Sequence, residues 1–377
     1  MPTSPSASIA ADAGALLSLD SGEELAATLA SESAFGDIAD FTATDLAAAV
    51  DPKAVCNPST DAPAWLGREI TKVRADTADF RRFAFVVNSL AATTVVTYEP
   101  LLFQTPETPQ YFGRTGEHTH TIVKTERDLN RFWAMQSAGV QVVGMHGDVL
   151  LDVDRLTKTY QKLLVPTSVA LAPVFAQMLR DSVAKSALLD GGNHPYFTFN
   201  AVAAPKGFFP AYKIAVGDGV LAGYDALGYS DVAPTAIFAH EFAHQVQFAK
   251  GFGLAAPKPP ATEPRPAERT RYNELGADFM AAYFLTHARG AALNQKRVAE
   301  FLAVFYGVGD CSFTSSGHHG TPAQRMASAR AGFALADQAQ KQGHVMTPEQ
   351  VQAAFVAALP NILTAGDPYY TPPAPKG

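Results

Sequence analysis

The sequence predicts an α+β protein that is mostly helical and carries a small mixed sheet. Long helical patterns in the second half of the chain are bounded by proline and glycine. Two short strand candidates, 196–202 and 212–216, interrupt these helical patterns. The length supports the same view, because 377 residues with 47% hydrophobic side chains can bury a substantial core.

The chain divides into three regions along its length. The first is expected to be helical or loosely ordered, the second to be an α/β, strand-containing region of unknown role, and the third to hold the main domain. β-branched and aromatic residues at 83–103 indicate strands in the second region, and 126–135 indicates a helix. The regions are residues 1–60, 61–151 and 152–377.

Proline, glycine and capping residues define the predicted helices of residues 152–377. Pro166 and Pro173 divide a first helical run at 152–189. Thr321 and Thr347 each precede a proline and lie three residues before a glutamine, which is the pattern of a capping box. The other helices are predicted from near Asp231 to Gly251 and from about 267 to 289.

Composition excludes some classes of partner. The formal net charge is −7 and the 29 Lys and Arg residues form no basic block, so we expect no nucleic-acid partner. We expect no membrane span, since no apolar stretch approaches the roughly 20 residues that one needs. The small-residue-rich start favours an exported protein, periplasmic or secreted, whose leader has been removed, with a cytoplasmic protein as the alternative. Cys56 and Cys311 could pair after export, and the oligomeric state stays open.

One short motif carries chemistry. His240-Glu241-Phe242-Ala243-His244 lies inside a predicted helix, and residues four apart on a helix share a face. The two imidazoles can therefore converge on one zinc ion, while Glu241 can act as a general base. Two surface histidines on an amphipathic helix are the alternative.

A third ligand is expected further along the chain. Gln247 and Lys250 stand where a metzincin carries glycine and histidine in the extension of the same helix, so that class is excluded. Glu274 and Asp278 are also four apart on the next predicted helix, so Glu274 can complete the site and Asp278 can accept a ring N–H from a ligating histidine. Gly276 between them suits a close approach of two helices.

The motifs together resemble a known group of enzymes. His240-Glu-Phe-Ala-His244, Asn273-Glu-Leu-Gly-Ala-Asp278 and His319-Gly-Thr-Pro-Ala-Gln-Arg325 are similar to the gluzincins, and in particular to bacterial neutral zinc metallopeptidases. The resemblance covers about residues 196–333. It implies a zincin-like catalytic domain, a Zn²⁺ cofactor and hydrolysis of a peptide or protein substrate by a metalloprotease.

Other residues are assigned roles in that reaction. His319, in a glycine-containing loop, is the candidate donor to the oxyanion, with His318 as its competitor. Asn200 and Ala201 resemble the edge-strand motif with which gluzincins bind substrate, although a plain core strand is the alternative. Arg325 either pairs with a carboxylate of the site or forms a surface salt bridge.

Two further functions remain open from the sequence. The same residues could hold zinc for folding or partner binding without catalysis. The chain could also be a zinc hydrolase of non-peptide amides. His118 and His120 would share a face on a strand, but no partner for a second metal site is evident from the sequence.

Overall fold

A computed structural model describes residues 61–164, 166–207, 209–252, 266–307, 319–342 and 344–365. The predictions for residues 1–60, Cys56, Cys311 and His318 lie outside this part of the chain. The described residues form an α+β fold, mostly helical, as the sequence predicts. In chain order the elements are α1 (Asp61–Arg74), α2 (Thr77–Asn88), α3 (Ala92–Phe103), α4 (Thr119–Phe132), β1 (Gln141–Met145), α5 (Val153–Leu163), α6 (Ala172–Ala184), β2 (Ala201–Ala204), β3 (Lys213–Gly217), α7 (Asp218–Ala226), α8 (Ala233–Lys250), α9 (Pro266–Thr286), α10 (Gln295–Tyr306), α11 (Pro322–Gln342) and α12 (Pro348–Leu363).

The sheet has three strands in the order β1-β3-β2, and it is mixed. β1 runs parallel to β3, with Gln141 opposite Lys213, and β2 runs antiparallel to β3, with Ala201 opposite Val216. β3 is buried along its whole length, as expected for a central strand covered on both faces. Because β1 precedes residue 152 and β3 follows it, the sheet joins the second and third predicted regions. The division into three regions itself stays a prediction.

Two hydrophobic cores lie on the two faces of the sheet. Ile214 and Val216 of β3 pack into one core with residues of α8, α9, α11 and α12, whereas Ala215 packs into the other with residues of α2, α3, α5 and α6. This alternation follows from the two-residue period of a strand. The sheet therefore separates the helix pair that carries the metal motif from α2, α3, α5 and α6.

The strands predicted at 83–103 are wrong, because this segment forms α2 and α3. Phe83 and Val86 are buried on one face at helical spacing, and Asp76 caps α2 by accepting from the N–H groups of Ala78 and Asp79. α3 is buried on most sides, and periodicity cannot distinguish such a segment from a buried strand. Burial and capping outweigh the β propensity of the valines and threonines.

Other boundaries also differ from the predictions. The strand expected at 196–202 begins only at Ala201, because residues 195–198 form a 3₁₀ turn. The helix expected at 126–135 begins earlier, at Thr119, so His118 and His120 do not lie on a strand. Sequence reasoning missed β1 altogether.

The helices of the metal motif are close to their predicted positions. α8 runs from Ala233 to Lys250 and ends at Gly251, which has a left-handed φ of 69°. Both capping boxes are confirmed: Thr321 Oγ1 accepts from Gln324 N at 3.1 Å, and Thr347 pairs reciprocally with Gln350. The break between α5 and α6 is confirmed as well.

Gln245 fixes α8 to the sheet. Its side chain is fully buried, and its amide N–H₂ donates to the carbonyl oxygens of Ala204 in β2 and Lys213 in β3 at 3.3 and 2.6 Å. On the far side of the metal motif, α9 lies between α8 and α11. A Cβ at Gly332 of α11 would lie only 2.2 Å from the carbonyl oxygen of Phe279, so glycine permits the close approach of α11 to α9.

Within the described ranges, no single helix is both long and apolar enough to cross a membrane. α2 and α3 together meet the length and composition for a span, but a bend of 50° separates them.

Replacing Gln245 by leucine is expected to lower the free energy of unfolding by about 1–3 kcal/mol, because two carbonyl oxygens lose a buried donor. Gln161→Leu, at an exposed position of α5, is the control and should change stability by less than about 0.5 kcal/mol. Urea unfolding of both variants measures the difference. Equal stability of the two would contradict the anchoring role.

Candidate metal centre

α8 and α9 bring three ligand-type atoms to one point. His240 Nε2 and His244 Nε2 lie 3.1 Å apart, and each lies 3.2 Å from an oxygen of Glu274. Tetrahedral ligands about 2.0–2.1 Å from a zinc ion lie roughly 3.3–3.4 Å from one another. The three separations are therefore close to the edges of a zinc tetrahedron.

The convergence takes place in the interior. His240, His244 and Glu274 are all buried, with Glu274 only 2% exposed. Oxygen Oε2 of Glu274 lies 3.2 Å from His240 Nε2, 3.1 Å from His319 Nδ1 and 3.5 Å from Arg325 Nη1. Nitrogen groups thus surround this buried carboxylate, and a cation between the three ligand-type atoms would add a further positive partner.

The orientation of His240 is fixed by a buried ion pair. His240 Nδ1 lies 2.9 Å from Oδ1 of Asp278, so the Nδ1–H donates to the carboxylate and Nε2 faces His244 and Glu274. Arg325 holds Asp278 in turn through two hydrogen bonds of 2.7 Å. Arg325 is 2% exposed, so the surface salt bridge considered for it is wrong.

The charges around the centre shift its acids and bases. Burial opposes the charged form of His240, but hydrogen bonds with Asp278 and Glu274 outweigh it and raise the pKa of the ring to about 10. Burial would raise the pKa of Glu274, yet the imidazoles of His319 and His244 hold that pKa well below its ordinary value. The centre thus favours positive charge at the point where the three ligand atoms meet.

Glu241 follows the first histidine on α8 and is 6% exposed. Burial raises its pKa, and the neighbouring His240 and His244 partly oppose that rise. Burial therefore makes the carboxylate of Glu241 more basic than an exposed one.

Comparisons with protein families, curated proteins and solved structures found no match.

The remaining predicted residues lie at different distances from the centre. His319 contacts it directly, with Nδ1 3.1 Å from Oε2 of Glu274, and its side chain is 18% exposed. Asn200 lies just before β2, where its backbone oxygen accepts from Gly217 N, and Ala201 opens β2, which packs against α8. The roles of His319 in catalysis and of Asn200 and Ala201 in substrate binding stay predictions.

Sequence reasoning missed one residue at the centre and one partner elsewhere. Gln247 Oε1 lies 2.8 Å from His244 Nδ1, and the only signal for this contact was its spacing of three residues on the helix. His118, for which no partner was evident, lies 2.8 Å from Asp225 through Nε2, and Glu117 lies close to both. Asp225 belongs to α7, far along the chain, so spacing could not indicate this group.

Replacing Arg325 by methionine is expected to lower the free energy of unfolding by about 3–5 kcal/mol, because Asp278 would stay buried without its guanidinium partner. Arg330→Met, at an exposed position of the same helix, is the matched control and should have little effect. Chemical unfolding of the two variants gives the comparison. A loss no larger than that of the control would show that the pair is not required for stability.

Proposed function

We propose that the protein is a zinc-dependent endopeptidase with a zincin-like catalytic domain, acting on peptide or protein substrates. The observation that carries this proposal is the buried convergence of His240, His244 and Glu274, with Glu241 on the same helix as the two histidines. Two imidazoles and one carboxylate, with a fourth position left for water or substrate, form a common ligand set of catalytic zinc.

The donor chemistry of these residues fits zinc. In neutral His240 and His244 each Nδ1 has a hydrogen-bond partner, so each Nε2 has a lone pair free for a metal. Glu274 supplies the third ligand and the negative charge. Bound zinc supplies a Lewis acid that polarises a carbonyl group and lowers the pKa of water to about 7.

Glu241 is the proposed general base. It takes a proton from the water that attacks the peptide carbonyl and later gives that proton to the leaving amine. A zinc site that serves only folding or partner binding needs ligands but no base. The buried Glu241 beside His240 therefore supports an enzyme over a non-catalytic zinc protein.

His319 is the proposed donor to the developing oxyanion. It is more exposed than His240 and His244, and its contact with Glu274 holds the ring close to the proposed metal ligands. Hydrogen-bond donors aimed at the oxyanion lower the barrier of acyl transfer, typically by several kcal/mol.

β2 is the proposed docking strand for substrate. It is an edge strand of the described sheet and packs against α8, which carries the metal motif. An extended peptide can add to such an edge through backbone hydrogen bonds. Asn200 and Ala201, where β2 begins, are the residues proposed to contact it.

The metal content of purified protein tests the ligand set. Wild-type protein is expected to hold about one zinc ion per chain, and Glu274→Ala should lose most of it because one of the three ligands is gone. Glu349→Gln, an exposed glutamate on α12, is the control and should hold as much zinc as wild type. Elemental analysis after dialysis gives the stoichiometry. Full zinc content in Glu274→Ala would show that another group is the third ligand.

Peptide cleavage tests the role of Glu241. Glu241→Gln should keep its zinc but lose at least about 10²-fold in kcat, because the amide cannot take a proton. A diverse library of unstructured peptides, read by mass spectrometry, detects cleavage at any sequence that the enzyme accepts. Zinc without cleavage in wild type would favour the non-catalytic protein, and cleavage of non-peptide amides alone would favour the other hydrolase.

A further inference from the structure

Gln247 is a buried polar residue at the metal centre with no role in the proposed reaction. It lies on α8 one turn after His244, and its side chain is almost fully buried. Its Oε1 lies 2.8 Å from His244 Nδ1. Burying an amide costs free energy unless both its oxygen and its nitrogen are hydrogen-bonded. The two partners of this side chain therefore indicate which groups it positions.

The hydrogen bond made by the nitrogen of the Gln247 amide determines which way the amide is oriented. Gln247 Nε2 donates to the backbone carbonyl of Asn273 at 2.9 Å, and a carbonyl oxygen can only accept. The nitrogen end therefore faces Asn273, and the oxygen end must face His244. Since Oε1 only accepts, His244 Nδ1 carries the hydrogen, and in neutral His244 the lone pair is on Nε2, which faces Glu274.

The neighbouring helix is shaped to admit this amide. A Cβ at Gly276 of α9 would lie 2.8 Å from Gln247 Nε2 and 3.2 Å from the Phe355 ring. An alanine there would push the amide away from the Asn273 carbonyl. Asn273 is also the residue before Glu274, so the amide links the second histidine to the segment of α9 that carries the third ligand.

We infer that Gln247 is a positioning residue that fixes the tautomer and ring orientation of His244, and that Gly276 provides the space it requires. The inference rests on the proposed zinc site. His240 is held by the anionic Asp278 and His244 by a neutral amide, so the two histidines differ in the basicity that their partners give them. The partner that orients His244 is thus a residue of α8 itself, whereas the partner of His240 lies on α9.

Zinc affinity separates this role from simple helix packing. Gln247→Leu is expected to weaken zinc binding about 10–100-fold in competition with a chelator, as loss of a histidine's supporting partner does. Gln247→Glu keeps an acceptor for the Nδ1–H but loses the donor to the Asn273 carbonyl, so it should restore part of the affinity. Gln245→Leu is the matched control, because Gln245 is a buried glutamine of the same helix that contacts the sheet instead. It should lower stability without weakening zinc binding.

Gly276→Ala tests the space around the amide. It should also weaken zinc binding, and it should add little to the effect of Gln247→Leu in the double variant, because both act through the same hydrogen bond. Additive effects would contradict the coupling between Gly276 and Gln247.

A tautomer measurement on metal-free wild-type protein needs neither zinc nor a variant. At mildly alkaline pH, long-range ¹⁵N–¹H NMR spectra of the histidine rings should show the hydrogen of His244 on Nδ1. A hydrogen on Nε2 would overturn the inference, as would equal zinc affinity in Gln247→Leu and the Gln245→Leu control. If wild type binds no zinc, the proposed function fails, while the His244 tautomer still decides the role of Gln247.

Discussion

Two buried imidazoles and a buried carboxylate converge on one point. Their electron pairs repel one another unless a positive charge lies between them. The Nε2 atoms of His240 and His244 and the carboxylate of Glu274 lie 3.1–3.2 Å from one another in the interior. With both imidazoles neutral and no cation, two lone pairs and a carboxylate would repel one another in a medium of low polarity. In the metal-free protein, hydrogen bonds with Asp278 and Glu274 favour a proton on His240 and so raise its pKa, which relieves part of this repulsion. A divalent cation would relieve it more fully.

The charges of the surrounding side chains are consistent with a divalent ion. Glu241, Glu274 and Asp278 contribute three negative charges when ionised, and Arg325 contributes one positive charge. The remaining two negative charges equal in size the charge of one divalent cation. Buried charges are tolerated only when paired. Arg325 neutralises Asp278, and a bound divalent cation would neutralise Glu274 and Glu241.

The rest of the fold anchors α8 to the sheet and lets α9 and α11 pack closely beside it. Gln245 holds α8 against β2 and β3, and the two hydrophobic cores fix the sheet from both faces. On the opposite side, Gly276 gives room to the Gln247 amide, and Gly332 lets α11 approach α9 closely enough for Arg325 to reach Asp278. Gly276, Gly332 and the buried Gln247 amide thus define how closely α9 approaches α8 and α11, more sharply than apolar packing alone would.

The sequence by itself determined the parts of the protein that depend on local spacing. His240 and His244 share a helical face because residues four apart must do so, and the helix starts at Thr321 and Thr347 follow from their own capping boxes. Tertiary structure decided the rest. Residues 83–103 are helical because Phe83 and Val86 bury one face there, and β propensity is too weak to oppose that burial. Arg325 and Gln247 became part of the centre only when the helices packed, since their partners Asp278 and Asn273 lie 47 and 26 residues away along the chain. Short-range patterns contain no information about such contacts, because the packing of distant elements determines them.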